Sequence, residues 1–533
     1  MNRLIDRFRD RDTLIMIGIL VFGLCLRLLG LHKGLWGDEL FTLNIISQDD
    51  LWQTILAQRQ DASQPLYFIL LKLWSYISFD ERWLRLLSVL FGLGALAIIM
   101  KWLSRYSSLA GNLAGLCLVA LPIMLRYSQE LRAYSLLSLI GALAFFSAAQ
   151  LAAAPRRLGW HFILSLSLIA AGLTHFIGIF LVLPIGAYVL LSVVDRNKIN
   201  YKWLAMSLAL PLFSFLALAL WYSGQIASVY DSMWMPYPDI KWILSIGRDL
   251  SGQAASMIFF RLQLSNIYAI PALYYDAFWL IIMGLWAIPV MLYGQWRSSL
   301  PLLISGLLYF LGLSLCSWFF IPVMVPRTVL LVLLPLTGFW AVQIATIRSK
   351  RIRLIEIIVL IVIVSYFSGQ WIAFGAWRPI EDVRGVSKIV QASYSDDDLV
   401  IFSPAIYFRP IYFKTLPQKD VMLIPGSPKT DIDELLRAAL SGRYPRKVLV
   451  VSCGNIINQE VLNKRLAVIS AIKRALPRPV TVEYVGTIGD AMYLGKETKR
   501  FYSELHAHLR KEYGQPLCAM SQQGIIHGIY KIK

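Results

Sequence analysis

The sequence predicts a polytopic α-helical membrane protein that ends in a separate α/β domain. Three observations lead there. About eleven apolar stretches are long enough to cross a bilayer, which needs roughly 17–25 residues each. Only 16% of the 533 residues are charged and 57% are hydrophobic, whereas soluble domains carry about 25% charged residues. Past residue 375 the long apolar runs give way to short ones that alternate with helical patterns.

Taken in order, the expected spans are 13–31, 84–103, 108–125, 131–151, 159–174, 176–194, 203–222, 274–296, 300–320, 326–346 and 354–374. The basic run from Arg3 to Arg11 precedes the first, and no small-residue cleavage site follows, so that segment reads as an uncleaved span. The first long loop, 32–83, holds two mixed stretches, 49–60 and 65–78, which read as amphipathic helices in the interface. Trp36, Trp52, Trp74 and Trp83 in this region suit an interfacial aromatic belt. A second long loop, 223–273, carries the aromatic turn Trp234-Met235-Pro236-Tyr237-Pro238.

The net charge of +19 is explained without nucleic acid, because cytoplasmic loops of membrane proteins collect Lys and Arg. With the N-terminus inside, every inner connection is basic, from Lys101/Arg105, Arg156/Arg157 and Arg196/Lys198/Lys202 to Arg297 and Arg348-Ser-Lys-Arg-Ile-Arg353. An odd number of spans then puts the C-terminus outside.

The tail, 376–533, has apolar runs at 398–402, 421–424 and 447–452 and helical patterns at 431–440 and 459–475, which suggests a small α/β domain. At roughly 155 residues it can hold its own core. The five cysteines, Cys25, Cys117, Cys316, Cys453 and Cys518, lack metal-ligand spacing. The first three read as packing residues, and a Cys453–Cys518 disulfide stays open for a domain outside the cell.

Asp38/Glu39, Arg126, Glu130/Arg132, His175 and Arg327 come from five separate regions, and this topology places all of them at the outer ends of spans. A coupled transporter would instead hold carboxylates near the midplane. Each group also has a plainer reading. Asp38-Glu39 could cap a helix over 40–47. Glu130 could cap the fourth span, with Arg132 one turn on from Gln129. His175 could be a hydrogen-bonded structural residue, and Arg327 could snorkel.

In this order the residues resemble the GT-C superfamily of integral membrane glycosyltransferases, in the bacterial branch grouped with protein O-mannosyltransferases and the aminoarabinose transferase that modifies lipid A. Gly34-Leu-Trp-Gly-Asp-Glu-Leu-Phe41 is similar to that family's aspartate motif. The run from Gln64-Pro65-Leu-Tyr67 to Trp74 is similar to its His-Pro-Pro-Leu-Tyr block, with Gln64 in place of a His-Pro. Arg85 to Gly92, Arg126-Tyr-Ser-Gln-Glu-Leu-Arg-Ala-Tyr134, Leu173-Thr-His-Phe176, Pro326-Arg327-Thr328 and Glu381-Asp382-Val-Arg384-Gly385 resemble later blocks.

The resemblance implies a donor that is a polyprenyl-phosphate monosaccharide, an acceptor hydroxyl on a glycan, lipid or protein, and an inverting transfer at the outer face of the inner membrane. It implies Asp38 as general base with Glu39 beside it, and Arg132, His175 and Arg327 on the donor phosphate. Glu130 and His175 become supporting groups or ligands of an optional divalent cation. Gln64, Pro65 and Tyr67 would line the site from the first loop. A transporter or flippase of lipid-linked sugars is the rival reading, and a transferase of larger oligosaccharides is a third.

Overall fold

In the computed structural model, described residues are 11–193 (except 60 and 62), 200–222, 287–376, part of 237–250 and, with interruptions, 383–531. Most of the 223–273 loop, most of the expected 274–296 span, Glu381, Asp382 and Cys453 lie outside them. The chain divides into two compact units. One comprises Met1–Leu31 and Ile45–Trp377, the other His32–Asn44 and Arg378–Lys533. The short segment 32–44 is thus grouped with the C-terminal residues and not with the helices that flank it in sequence.

The first unit is helical. Its described helices are α1 Arg11–Leu28, the end of α2 Gly37–Ile46, α3 Leu51–Gln58, α4 Pro65–Ser75, α5 Glu81–Leu103, α6 Ser108–Val119, α7 Pro122–Tyr127, α8 Tyr134–Ala153 and α9 Leu158–Thr174. They continue as α10 Phe176–Ser192, α11 Tyr201–Tyr222, α12 Trp296–Phe319, α13 Pro326–Thr346 and α14 Lys350–Ala373. Six of these, α5, α8, α11, α12, α13 and α14, are long and apolar enough to cross a membrane. The expected 65–78 and 49–60 stretches are helices α4 and α3. In α3, Asp50 accepts the Gln53 N–H at 2.7 Å as an N-cap.

The expected 108–125 span is broken. Pro122 disfavours helical geometry at the residue before it, and Leu121 is extended (φ −61°, ψ 119°). Helix α6 therefore stops at Val119, and Pro122 opens α7 at a first-turn position where its missing N–H costs nothing. Helix α8 packs on both α5 and α9, and α6 packs on α1, α5 and α13. Trp102 of α5 stacks on Phe145 of α8 at 5.0 Å, and its indole N–H donates to Tyr188 of α10 at 3.2 Å.

The end of α1 is finished by side chains. Gln129 donates to the carbonyls of Arg27 and Leu29, and Arg85 donates to that of Leu31. These carbonyls have no helical partner of their own. Gly30 follows with φ +75°, and a Cβ there would sit 1.5 Å from the Ala376 carbonyl oxygen, so only glycine fits.

The second unit is an α/β domain with a six-stranded sheet in the order β2-β1-β3-β4-β6-β5. The strands are β1 Leu399–Phe402, β2 Val421–Leu423, β3 Lys447–Ser452, β4 Thr481–Thr487, β5 Cys518–Gln522 and β6 Ile525–Lys531. The first four in spatial order are parallel, β6 runs antiparallel to β4, and β5 runs antiparallel to β6. Helices α15 Val383–Ser393, α16 Ile432–Leu440 and α17 Gln459–Ala475 join it. The apolar runs expected to be strands are β1, β2 and β3, and the expected helices are α16 and α17. Leu399, Ile401, Val448, Val450, Leu436 and Leu462 share its core, as a sheet covered by helices requires.

Candidate active site

In the helical unit, four sequence-distant pieces meet. The loop after α3 carries Asp61, Ser63 and Gln64. Ser63 forms an antiparallel bridge with His175, and Gln64 N–H donates to the Thr174 carbonyl at 3.1 Å. Arg132 reaches the same loop and grips Asp61 with both guanidinium nitrogens, at 2.7 and 3.2 Å. Both side chains are buried, at 8% and 4% exposure. Tyr134, at the start of α8, has its ring 5.5 Å from the His175 imidazole, and the Arg327 guanidinium lies 6.0 Å over the same ring.

Local sequence explains each position. Helix α9 ends at Thr174, and His175 turns into extended geometry (φ −159°, ψ 143°) before the next turn begins. Its Nδ1 accepts the Ile177 N–H at 3.3 Å, which caps that turn and leaves the ring proton on Nε2. Burial holds His175 at about 3, well below its usual value. Asp61 pulls it up, and Arg132 and Arg327 push it further down. The imidazole is therefore neutral at physiological pH. Burial works against a charged Asp61 as well, but the Arg132 fork and the Ser63 N–H outweigh it and hold the carboxyl below the usual range.

Arg327 occupies the first turn of α13, where the helix dipole disfavours a cation. Thr328 bonds the Val325 N–H at 3.0 Å and Tyr309 bonds the Thr328 carbonyl, so the turn is fixed. Helix stability does not account for a half-buried arginine there.

Two expectations are corrected. Glu130 does not cap α8, because Pro122 and the turn after α7 delay that helix to Tyr134. Glu130 lies in the turn and accepts from Arg126 Nε at 2.7 Å. Arg132 is likewise outside any helix. Tyr67 is fully buried and bonds Ser88, which donates to the Glu130 carbonyl at 2.7 Å, so it supports the turn from beneath. The Gln64 side-chain oxygen is buried without a hydrogen bond. Sequence reasoning missed Asp61. Its signal, a carboxylate just before the Gln64-Pro65 block, was visible, but its partner lies 71 residues away.

In the second unit, α2 begins at Gly37, earlier than the expected 40–47. Trp36 is its N-cap residue, and its carbonyl accepts the Leu40 N–H at 2.9 Å. Glu39, three residues on and fully buried, accepts the Trp36 N–H at 3.3 Å. That is the returning half of a capping box. Asp38 is partly exposed in the same first turn. The adjacent carboxylates are thus in different settings.

For a divalent cation the donors fit poorly. Asp61 is forked by Arg132, Glu130 is paired with Arg126, and His175 Nδ1 is engaged. Among the described residues no group of three His, Cys, Asp or Glu side chains could hold a metal.

No family model matches the sequence, and no curated protein does. Among solved structures the chain is similar to ArnT from Cupriavidus metallidurans in the apo state, with a TM-score of 0.52, 12% identity and 97% of each chain covered. ArnT from the same organism bound to undecaprenyl phosphate aligns with a TM-score of 0.47, again at 12% identity and 97% of each chain. The Archaeoglobus fulgidus oligosaccharyltransferase in complex with Zn and sulfate aligns with a TM-score of 0.43, 10% identity, and 97% of this chain against 73% of that one. The likeness to apo ArnT shows the fold.

Proposed function

We propose that this chain, which has the fold of ArnT, is a membrane-embedded inverting glycosyltransferase that moves a monosaccharide from a polyprenyl phosphate to an acceptor hydroxyl. The observation that carries the reading is the cluster of charges around the His175 elbow, in which Asp61, Glu130, Arg132 and His175 are buried, Arg327 is half-buried and Arg126 is exposed. Arg126, Arg132 and Arg327 stand against Asp61 and Glu130, and with neutral His175 the balance is one positive charge. Such a site suits a phosphate that gains charge as it leaves.

The residues divide the work. Asp38 takes the proton of the acceptor hydroxyl as its oxygen attacks the anomeric carbon, and the bond from that carbon to the phosphate oxygen breaks. Single displacement inverts the configuration. Arg327 faces the departing phosphate, and His175 supplies its Nε2–H. Arg132, with both ends on Asp61, contributes its field and fixes the loop. Glu39 caps α2 and holds Asp38 in place. The lipid tail belongs against apolar helix faces, and an apolar cavity of about 560 Å³ lined by Phe180, Leu183, Leu190, Leu208 and Leu212 offers one. In this reading the protein sits in the inner membrane with its N-terminus cytoplasmic and its C-terminal domain outside.

The test is a reconstituted assay with labelled polyprenyl-phosphate sugars and membrane acceptors. Sugar transfer that is lost in Asp38→Asn supports the enzyme. Lipid movement across the bilayer without any transfer would favour the flippase instead.

A further inference from the structure

The segment that carries Asp38 is held by residues more than 340 positions away in sequence, within its own unit. Leu35 N–H donates to the Tyr412 hydroxyl at 2.7 Å. The Arg384 guanidinium donates to the His32 carbonyl at 2.8 Å. Arg384 also lies 5.9 Å over the Tyr412 ring. Gly34 sits between these two grips, and a Cβ there would be 3.1 Å from the Arg384 Cβ.

The grip is anchored in the sheet. Arg384 and Gln391 are seven residues apart on α15 and so share one face. Gln391 donates to the Tyr412 carbonyl. Val383, Val386, Ser387 and Val390 are buried, and α15 packs on β3 and β4. At its end, Ser393 donates to Glu483 of β4 at 2.7 Å, and Lys447 of β3 bonds the Ser393 carbonyl. A continuous line of contacts thus runs from β3 and β4 through α15 and Tyr412 to residues 32–35, three positions before Asp38.

We infer that Arg384 and Tyr412 are positioning residues for the transfer reaction. They fix the entry into α2 and thereby the placement of Asp38, so the α/β domain serves as the scaffold of the catalytic carboxylate. This rests on the reading of Asp38 as the base. Neither residue touches the reacting atoms. A general base displaced by about 1 Å loses up to about a hundredfold in rate, while donor binding at the arginine cluster of the other unit does not depend on it.

The experiment uses the full chain in lipid discs, with a radiolabelled polyprenyl-phosphate sugar as donor and hydrogen exchange followed in peptides covering 32–44. Tyr412→Phe should lower kcat about ten- to a hundredfold, leave the donor KM within about twofold, and raise exchange in 32–44 alone. Arg384→Ala should do the same, and Arg384→Lys, which keeps a donor for the His32 carbonyl, should recover much of the rate. Unchanged exchange in both variants would overturn the clamp. Loosened exchange with full kcat would overturn its role in positioning. Full turnover in Asp38→Asn would sink the base assignment itself, and the positioning role with it. A dead Asp38→Asn beside a fully active Tyr412→Phe removes only the present inference.

Discussion

Adjacent carboxylates need not share a job. Glu39 is buried and bonded to the Trp36 N–H, whereas Asp38 is partly exposed. On the proposed function, Asp38→Asn should cost about 10²–10⁴ in kcat, the usual worth of a general base. Glu39→Gln should stay within a few-fold, because glutamine serves equally in a capping box. Steady-state kinetics on the two variants decides this, and the reverse ranking would move the base to Glu39. The buried Asp61–Arg132 pair has another signature. Asp61→Asn deprives a buried guanidinium of its carboxylate and should cost about 3–5 kcal/mol of stability. The Asp61 pKa is held below its unfolded value, so this contribution is complete above about pH 4 and lost only as pH falls further. Thermal shifts at pH 6 and pH 8 should thus show the same penalty. His175 acts in the same direction on acidification, but in a higher pH window. Its folded value of about 3 lies below the unfolded one, near 6.5, so stability falls as pH drops below about 6.5. His175→Asn should abolish that part of the slope. The capping role of Glu39 was legible from its place before a helix, but the roles of Asp61 and His175 were not legible from spacing. A lone His reads the same whether it caps a turn or meets a phosphate, and Asp61 acquires meaning only with Arg132 beside it.

At the level of elements, most helices were readable because apolar length is a local property. The errors fall where proline and turn geometry override hydropathy. Pro122 splits an expected span, and the same break moves Glu130 and Arg132 out of a helix into a turn. The start of α2 was misplaced because a capping box built on Trp36 has no Ser, Thr, Asp or Asn to announce it. Gly30 allows a direct test of the α1 end. Gly30→Ala must adopt a left-handed conformation, which costs about 1–2 kcal/mol, and must also displace the Ala376 carbonyl. It should lower the melting temperature clearly, whereas Gly18→Ala, with nothing within 4 Å of the new methyl, should not.

At the level of the whole molecule, the change of composition near residue 375 announced a second domain, and the sheet of that domain was visible as short apolar runs. That residues 32–44 belong with it was not visible, because no local signal reports a partner hundreds of positions away. The proposed orientation is open to labelling. Lys419 is exposed in the α/β domain. A cysteine introduced there, in a background without the native five, should react with an impermeant maleimide added outside intact spheroplasts. One introduced at Lys350, the first residue of α14, should react only after lysis. The opposite pattern would invert the topology.

The grip of Tyr412 on Leu35 spans 377 residues, and this sets an order of events during synthesis. Residues 32–44 leave the ribosome early, yet the groups that hold them arrive near the end. At about 5–20 residues per second, the carboxylate segment waits roughly 20–75 seconds for its scaffold. A nascent or prematurely terminated chain thus carries its arginine cluster without a fixed base. On the proposed function, such fragments would be inert as transferases until the α/β domain is made.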